Sequence, residues 1–117
     1  MNTDESRSEE LPWEIEAPEV ARLMQQRQVV LVDCREPEEY ELAHIAGAVL
    51  IPMSQWEQQA GRLDAMRGQH VVVHCHHGVR SRRVVHWLRS AGFAMAQSMA
   101  GGIEAWSQLV DPTVPTY

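Results

Sequence analysis

The residues with the most chemistry in this 117-residue chain lie together in one segment, Cys75-His76-His77-Gly78-Val79-Arg80-Ser81. A cysteine reacts as its thiolate, and nearby positive charge or a helix N-terminus favours that form. His70–His74 (HVVVH), just before the cysteine, is an apolar run that reads as a buried strand. Beyond the segment, Val84, Trp87, Leu88 and Ala91 recur at i, i+3, i+4 and i+7, the spacing of an amphipathic helix. Cys75 is therefore expected at the carboxyl end of a strand and directly before a helix, where open α/β sheets bind ligands. Such a helix start offers unpaired N–H groups and a positive dipole end. Gly78 lets the loop curl so that backbone N–H groups converge on one point, and Arg80 adds a fixed positive charge. These features suit a nucleophilic thiolate and an anionic group attached to it. The competing reading of a free cysteine is an inert, buried apolar residue, and position alone leaves both open.

The elements that must hold this loop alternate along the chain. Residues 1–10 are polar and acidic and are expected to form a disordered leader. Trp13 and Ile15 alternate with acids as in a short edge strand. Pro18 and Glu19 suit a helix start, and Val20, Leu23 and Met24 then line one face up to Arg27. Val29–Asp33 is a buried strand, Pro37 opens a short helix to Leu42, and Gly47–Ile51 is a second buried strand stopped by Pro52. Ser54 is placed to cap the following helical region. Phe93–Met99 reads as a weaker strand, and Gly101-Gly102 leads into a last helix over Ile103–Leu109. Alternating strands and helices predict an α/β domain over residues 11–117: a mainly parallel five-stranded sheet with helices on both faces. Trp87 and Trp106 are expected in its core.

Composition narrows the function classes. The net charge of −6 belongs to residues 1–19, where seven acids face one arginine, while the remainder is balanced. Nothing here has the basic footprint that nucleic-acid binding needs. All ten cationic residues are arginine, which excludes lysine nucleophiles and Schiff-base chemistry. The apolar runs are too short to cross a membrane, no secretory signal is visible, and a cytoplasmic location is the expectation. Two cysteines, Cys34 and Cys75, make no disulfide framework and no CxxC pair.

Four segments, taken in order, resemble the rhodanese family. Cys75–Ser81 is similar to its active-site loop. Val32-Asp33-Cys34-Arg35-Glu36-Pro37-Glu38-Glu39-Tyr40 resembles its D-x-R-x-x-x-E-[YF] segment, and His44-Ile45-Ala46-Gly47-Ala48-Val49-Leu50-Ile51-Pro52 its G-H-I-x-G-A-x-x-I-P segment. Gly101-Gly102-Ile103-Glu104-Ala105-Trp106 resembles its closing G-G-x-x-A-W. The resemblance implies a sulfurtransferase that carries a sulfane sulfur from thiosulfate or a persulfide donor to a thiophilic acceptor. Cys75 is then the nucleophile and persulfide carrier. The backbone of His76, His77, Gly78, Val79, Arg80 and Ser81 cradles the sulfur, and Arg80 helps hold an anionic donor. Asp33 and Arg35 brace the fold. No cofactor and no metal are implied. Partners would be the small sulfur donor or acceptor, or a sulfur-carrier or persulfide-donor protein; nucleic acid and membrane are not among them. Arg82 and Arg83 read first as a solvated helix face, and their charge could also steer an acidic carrier or donor protein to dock. The chain departs from the pattern at Ala43, where the family has glycine, and at His76 and His77, where thiosulfate-preferring relatives often carry a cation. Neutral imidazoles attract thiosulfate weakly, so a persulfide or protein donor is an open alternative. Residues 111–117 resemble the tail of rhodanese domains fused to enzymes that adenylate sulfur carriers.

Three rival readings compete with this one. A cysteine phosphatase needs five residues between Cys and Arg to surround a phosphate; here there are four, and Ser81 stands where that arginine would be. A metal site on His74, Cys75, His76 and His77 is disfavoured because successive strand residues point to opposite faces. A non-catalytic sulfur carrier or interaction module of the same fold is the third, since fold does not fix function. Cys34, at the end of the first buried strand, reads as packing; a resolving role would require it to lie beside Cys75.

Overall fold

The computed structural model describes residues 11–117; the expected acidic leader, residues 1–10, lies outside the described residues. Five strands form one sheet: β1 (Glu14–Ile15), β2 (Val30–Asp33), β3 (Val49–Leu50), β4 (Val71–His74) and β5 (Gln97–Met99). Their order is β1-β5-β4-β2-β3, and every pairing is parallel. Between them run α1 (Ala17–Gln25), α2 (Pro37–Leu42), a 3₁₀ turn (Met53–Gln55), α3 (Ala60–Asp64), α4 (Val79–Ser90) and α5 (Gly102–Leu109). A parallel neighbour is reached only by a crossover, which explains the strand–helix alternation in the sequence.

The sheet separates two apolar clusters. Strand side chains alternate between faces, so Val32, Val71 and Val73 meet Leu63 of α3 and Val84, Val85 and Leu88 of α4 on one side. Leu31 and Val72 meet Ala17 and Val20 of α1 and Ile103 and Trp106 of α5 on the other. Burying a side chain such as Leu88, which is wholly inaccessible, is worth about 1.5–3 kcal/mol. Helices on both faces are thus present as expected, and Trp106 is in the core.

Several expectations shift. Trp87 is 53% exposed; it is Val85, not Trp87, that completes the inner face of α4 with Val84 and Leu88, and Trp87 instead meets the edge of Trp56 on the surface. Ser54 caps no helix: it lies inside the 3₁₀ turn, where its hydroxyl donates to Glu36 Oε1 at 2.7 Å. β3 and β5 are shorter than their apolar runs. At β3 the bonded register with β2 covers only Val32–Val49 and Asp33–Leu50 before Pro52. In the other run, residues 94 and 95 turn before β5 begins.

Two ties fix the ends of the central strands. Arg35, just beyond β2, is completely buried beside Asp33. Its Nε and Nη2 donate to the two Asp33 carboxylate oxygens at 2.9 and 2.6 Å, and Nη2 also donates to Ala43 O at 2.7 Å. Nη1 donates to Glu39 O and to the Tyr117 hydroxyl, so all five guanidinium hydrogens are used. The second tie is between α5 and the loop after β4. Ile103 N–H donates to Cys75 O at 2.8 Å and Glu104 N–H to His76 O at 3.3 Å. Gly102 makes this approach possible: it has φ +62°, and a Cβ there would overlap the carbonyl oxygens of His76 and Cys75. Gly102→Ala is therefore expected to destabilise the domain by at least ~2 kcal/mol, read as a lower urea midpoint at unchanged slope.

Candidate active site

Cys75 is the first residue after β4 and the fourth before α4. The chain reverses at Gly78, whose φ of 109° is open to glycine at little cost. That reversal turns the start of α4 back over the cysteine. Gly78 N–H donates to Cys75 Sγ at 3.1 Å and Ser81 N–H at 3.4 Å. Ser81 Oγ lies 3.4 Å from the sulfur and 2.7 Å from Ser98 Oγ of β5. A relay in which Ser98 donates to Ser81, and Ser81 to the sulfur, therefore fits a thiolate. Beneath the loop, Cys34 lies on the same sheet face as Cys75 and in the same apolar cluster.

These donors decide the ionisation. The Cys75 thiol is lowered to about 4, first by the Cys34 thiol donating to it, and then by the Ser81 hydroxyl and the Ser81 and Gly78 N–H groups; burial opposes them. Cys34 is pushed the other way by the same interaction and by its burial, and stays a thiol. Only 1% of Cys75 is exposed, so its negative charge is held mainly by fixed dipoles in a nearly dry site.

Arg80 lies within electrostatic reach of the Cys75 sulfur and is paired as well. Its Nη1 and Nη2 donate to Glu39 Oε1 and Oε2 of α2 at 2.7 and 2.8 Å, a two-pronged ion pair. Glu39 also accepts from the Tyr117 hydroxyl at 2.9 Å and from Glu36 N–H at 3.1 Å. Arg80, with these groups, holds the Glu39 carboxyl at about 2. The guanidinium near the sulfur is thus already matched by a carboxylate.

The remaining loop residues divide. Val79 and His77 are exposed, and His77 Nε2 lies 2.8 Å from Glu104 Oε1 of α5. His76 is not at an open tip: its ring is stacked between those of His77 (3.8 Å) and Tyr117 (4.0 Å), and its Nε2 is buried without a partner. His74 is wholly buried, as expected, between the Asp33 carboxylate and the Cys75 carbonyl, and burial lowers its pKa. His76, His77 and Glu104 bring three potential ligand atoms within 4.8 Å of one another. The two rings, however, are inclined by only 23°. Lone pairs in two nearly parallel ring planes stacked 3.8 Å apart cannot both aim at one ion lying between the planes, the convergence that tetrahedral coordination needs.

The fold thus gathers Cys75, Gly78 and Ser81 around one atom, sets Arg80 against Glu39, and leaves Val79 and His77 facing solvent. Sequence reasoning missed Ser98 and Glu39. Ser98 carried a signal, as a small polar residue in an otherwise buried strand. Glu39 was quoted only as part of a motif, and its partner lies 41 residues away.

The comparisons agree with this geometry. A family model described as "Rhodanese-like domain" matches residues 16–109. The chain is 33% identical over 88 residues to "Thiosulfate sulfurtransferase GlpE" of Coxiella burnetii, covering 75% of this chain and 80% of the relative. It is 35% identical over 91 residues to "Probable adenylyltransferase/sulfurtransferase MoeZ" of Mycobacterium tuberculosis, covering 78% of this chain and 23% of that protein. Several curated relatives are much longer than the matched region, and the chain spans 30% or less of their length. Among solved structures, a rhodanese-related protein from Thermoplasma volcanium superposes with a TM-score of 0.76 at 27% identity, over 91% of this chain and all of that one.

The site geometry makes a direct prediction. The iodoacetamide rate of Cys75 should hold its plateau through neutral pH and fall only as acid protonates a thiolate titrating at about 4, whereas a free cysteine titrates near ~8.5. Ser81→Ala should raise that midpoint, because it removes one donor to the charged form.

Proposed function

Since the chain belongs to the rhodanese-like domain family, we propose that it is a sulfurtransferase working through a persulfide on Cys75. The observation that carries this reading is the convergence of Gly78 N–H, Ser81 N–H and the Ser81 hydroxyl on the Cys75 sulfur. The Cys75 thiolate attacks the sulfane sulfur of a donor. The bond to the donor's leaving group breaks, and that group, a thiolate or sulfite, departs with the electron pair. The new persulfide carries its charge on the outer sulfur, where the same loop can accept it. An acceptor thiolate, or cyanide, then takes the outer sulfur and restores the Cys75 thiolate. A loop with four residues between Cys75 and Arg80, whose bonds meet on one atom, suits a single sulfur better than the three outer oxygens of a phosphate.

Charge favours a persulfide donor over thiosulfate. Arg80 is committed to Glu39, His77 is paired with Glu104, and a doubly charged donor would meet carboxylates behind both. A protein donor or sulfur carrier fits the exposed Arg82 and Arg83 on α4, where rim charges steer association. The relative that joins an adenylyltransferase to a sulfurtransferase supports a place in a sulfur relay. A domain acting purely as a carrier would load once and release only to its partner.

Intact-mass spectrometry after incubation with thiosulfate, and separately with glutathione persulfide, tests the reading. Wild type should gain one sulfur and lose it to cyanide as thiocyanate, while Cys75→Ser gains none; no uptake from either donor would sink the proposal. Glu39→Gln frees the charge of Arg80 and should raise thiosulfate kcat/KM about fivefold relative to the persulfide, the scale of a partly exposed ion pair. An unchanged ratio would refute the account of donor choice.

A further inference from the structure

Cys34 donates to the Cys75 sulfur but neither takes up nor gives up sulfur in the transfer just described. Asp33 of β2 is in register with His74 of β4, and each cysteine is the next residue on its strand. The Cys34 N–H donates to His74 O at 3.1 Å, so the pairing continues to the cysteines. Neighbouring strands run ~4.8 Å apart, inside the ~4.4–6.8 Å Cα separation that a disulfide spans. Both side chains enter the apolar cluster formed by Val32, Val73, Ile51 and Val84, and both are free thiols. Cys34 is 0% exposed and Cys75 only 1%.

Building on the sulfurtransferase reading, we propose that Cys34 is a resolving thiol for the Cys75 persulfide, releasing an uncollected sulfur as hydrogen sulfide and closing a Cys34–Cys75 disulfide. The proton of Cys34 first passes to the negatively charged outer sulfur of the persulfide. The Cys34 thiolate so formed attacks Cys75 Sγ, the inner sulfur. The bond between the inner and outer sulfurs breaks, and the outer sulfur leaves with the electron pair as hydrosulfide. One persulfide and one thiol thus give one disulfide and one hydrogen sulfide: the sulfane sulfur is reduced, the two cysteines are oxidised, and no outside oxidant is consumed. Two equivalents of a small thiol close the cycle: the first opens the disulfide as a mixed disulfide, and the second releases the protein thiol and forms the small-molecule disulfide.

The resting enzyme is protected from this reaction. Beside the Cys75 thiolate, Cys34 is held protonated by burial and by the neighbouring charge, and a protonated thiol does not attack. Loading moves the negative charge one atom outward and leaves an uncharged, electrophilic sulfur next to Cys34. Thiol–disulfide exchange then requires only a thiolate, a sulfur to attack and a good leaving group.

The full chain is reduced, loaded with glutathione persulfide, desalted without acceptor, and followed by sulfide assay and non-reducing mass spectrometry. Wild type should first gain one sulfur, then convert to a species two hydrogens lighter than the reduced chain while releasing one equivalent of sulfide. Trypsin should yield residues 28–35 linked to residues 68–80, the peptides that carry Cys34 and Cys75. Cys34→Ser should keep its persulfide at least ~10-fold longer. The wild-type peptide map does not depend on how the variant folds. A loaded wild type that yields no linked peptide, or that sheds sulfur as slowly as Cys34→Ser, overturns the resolving role and leaves the transferase reading standing. Failure to load any sulfur overturns the transferase reading itself, and this inference with it.

Discussion

The buried ion pair of Asp33 and Arg35 is the constraint on which the rest of the arrangement depends. Two charges taken fully out of water are costly, and removing one partner of such a pair typically destabilises a domain by about 3–5 kcal/mol. Here the cost is offset by complete hydrogen bonding. Arg35 reaches the Asp33 carboxylate, the carbonyls of Glu39 and Ala43, and the Tyr117 hydroxyl. One side chain thereby joins the end of β2, the helix α2, the segment leading to β3 and the C-terminal tyrosine. Glu39 presents its carboxylate to Arg80 from α2, so the position of the loop arginine depends on the guanidinium buried beneath it.

The site shows how a thiolate can be stabilised without a free cation above it. The fixed charge of Arg80 is matched by Glu39, and the donors that touch the sulfur are uncharged: two amides, a hydroxyl and a second thiol. Oriented dipoles in a nearly dry site act strongly because little water competes with them. At the edge of the loop, the charges of Arg80 and Glu39 offset each other.

Much of this was legible in the sequence because it is encoded locally. VVLVD and HVVVH read as buried strands and proved to be β2 and β4. The spacing of Cys75, Gly78 and the helix after them placed Cys75 at a strand end. What escaped were features set by tertiary arrangement. Trp87 has helical spacing with Val84 and Leu88, but α4 turns Val85 inward and leaves the indole outside. The stacking of His76 depends on Tyr117, 41 positions away. The proximity of Cys34 to Cys75 depends on strand order: β2 and β4 are neighbours only because β3 lies at the edge, and local sequence carries no record of that choice.

The close seat of α5 on the loop has a consequence rooted in peptide planarity. A trans peptide unit points its C=O and its N–H in opposite directions. By drawing the carbonyls of Cys75 and His76 towards Ile103 and Glu104, α5 turns the amide hydrogens of the same two units, those of His76 and His77, away from itself. Helix α5 thus sets the polarity of a loop to which it contributes no reacting atom. Gly102, without a side chain of its own, is the point at which that orientation is transmitted.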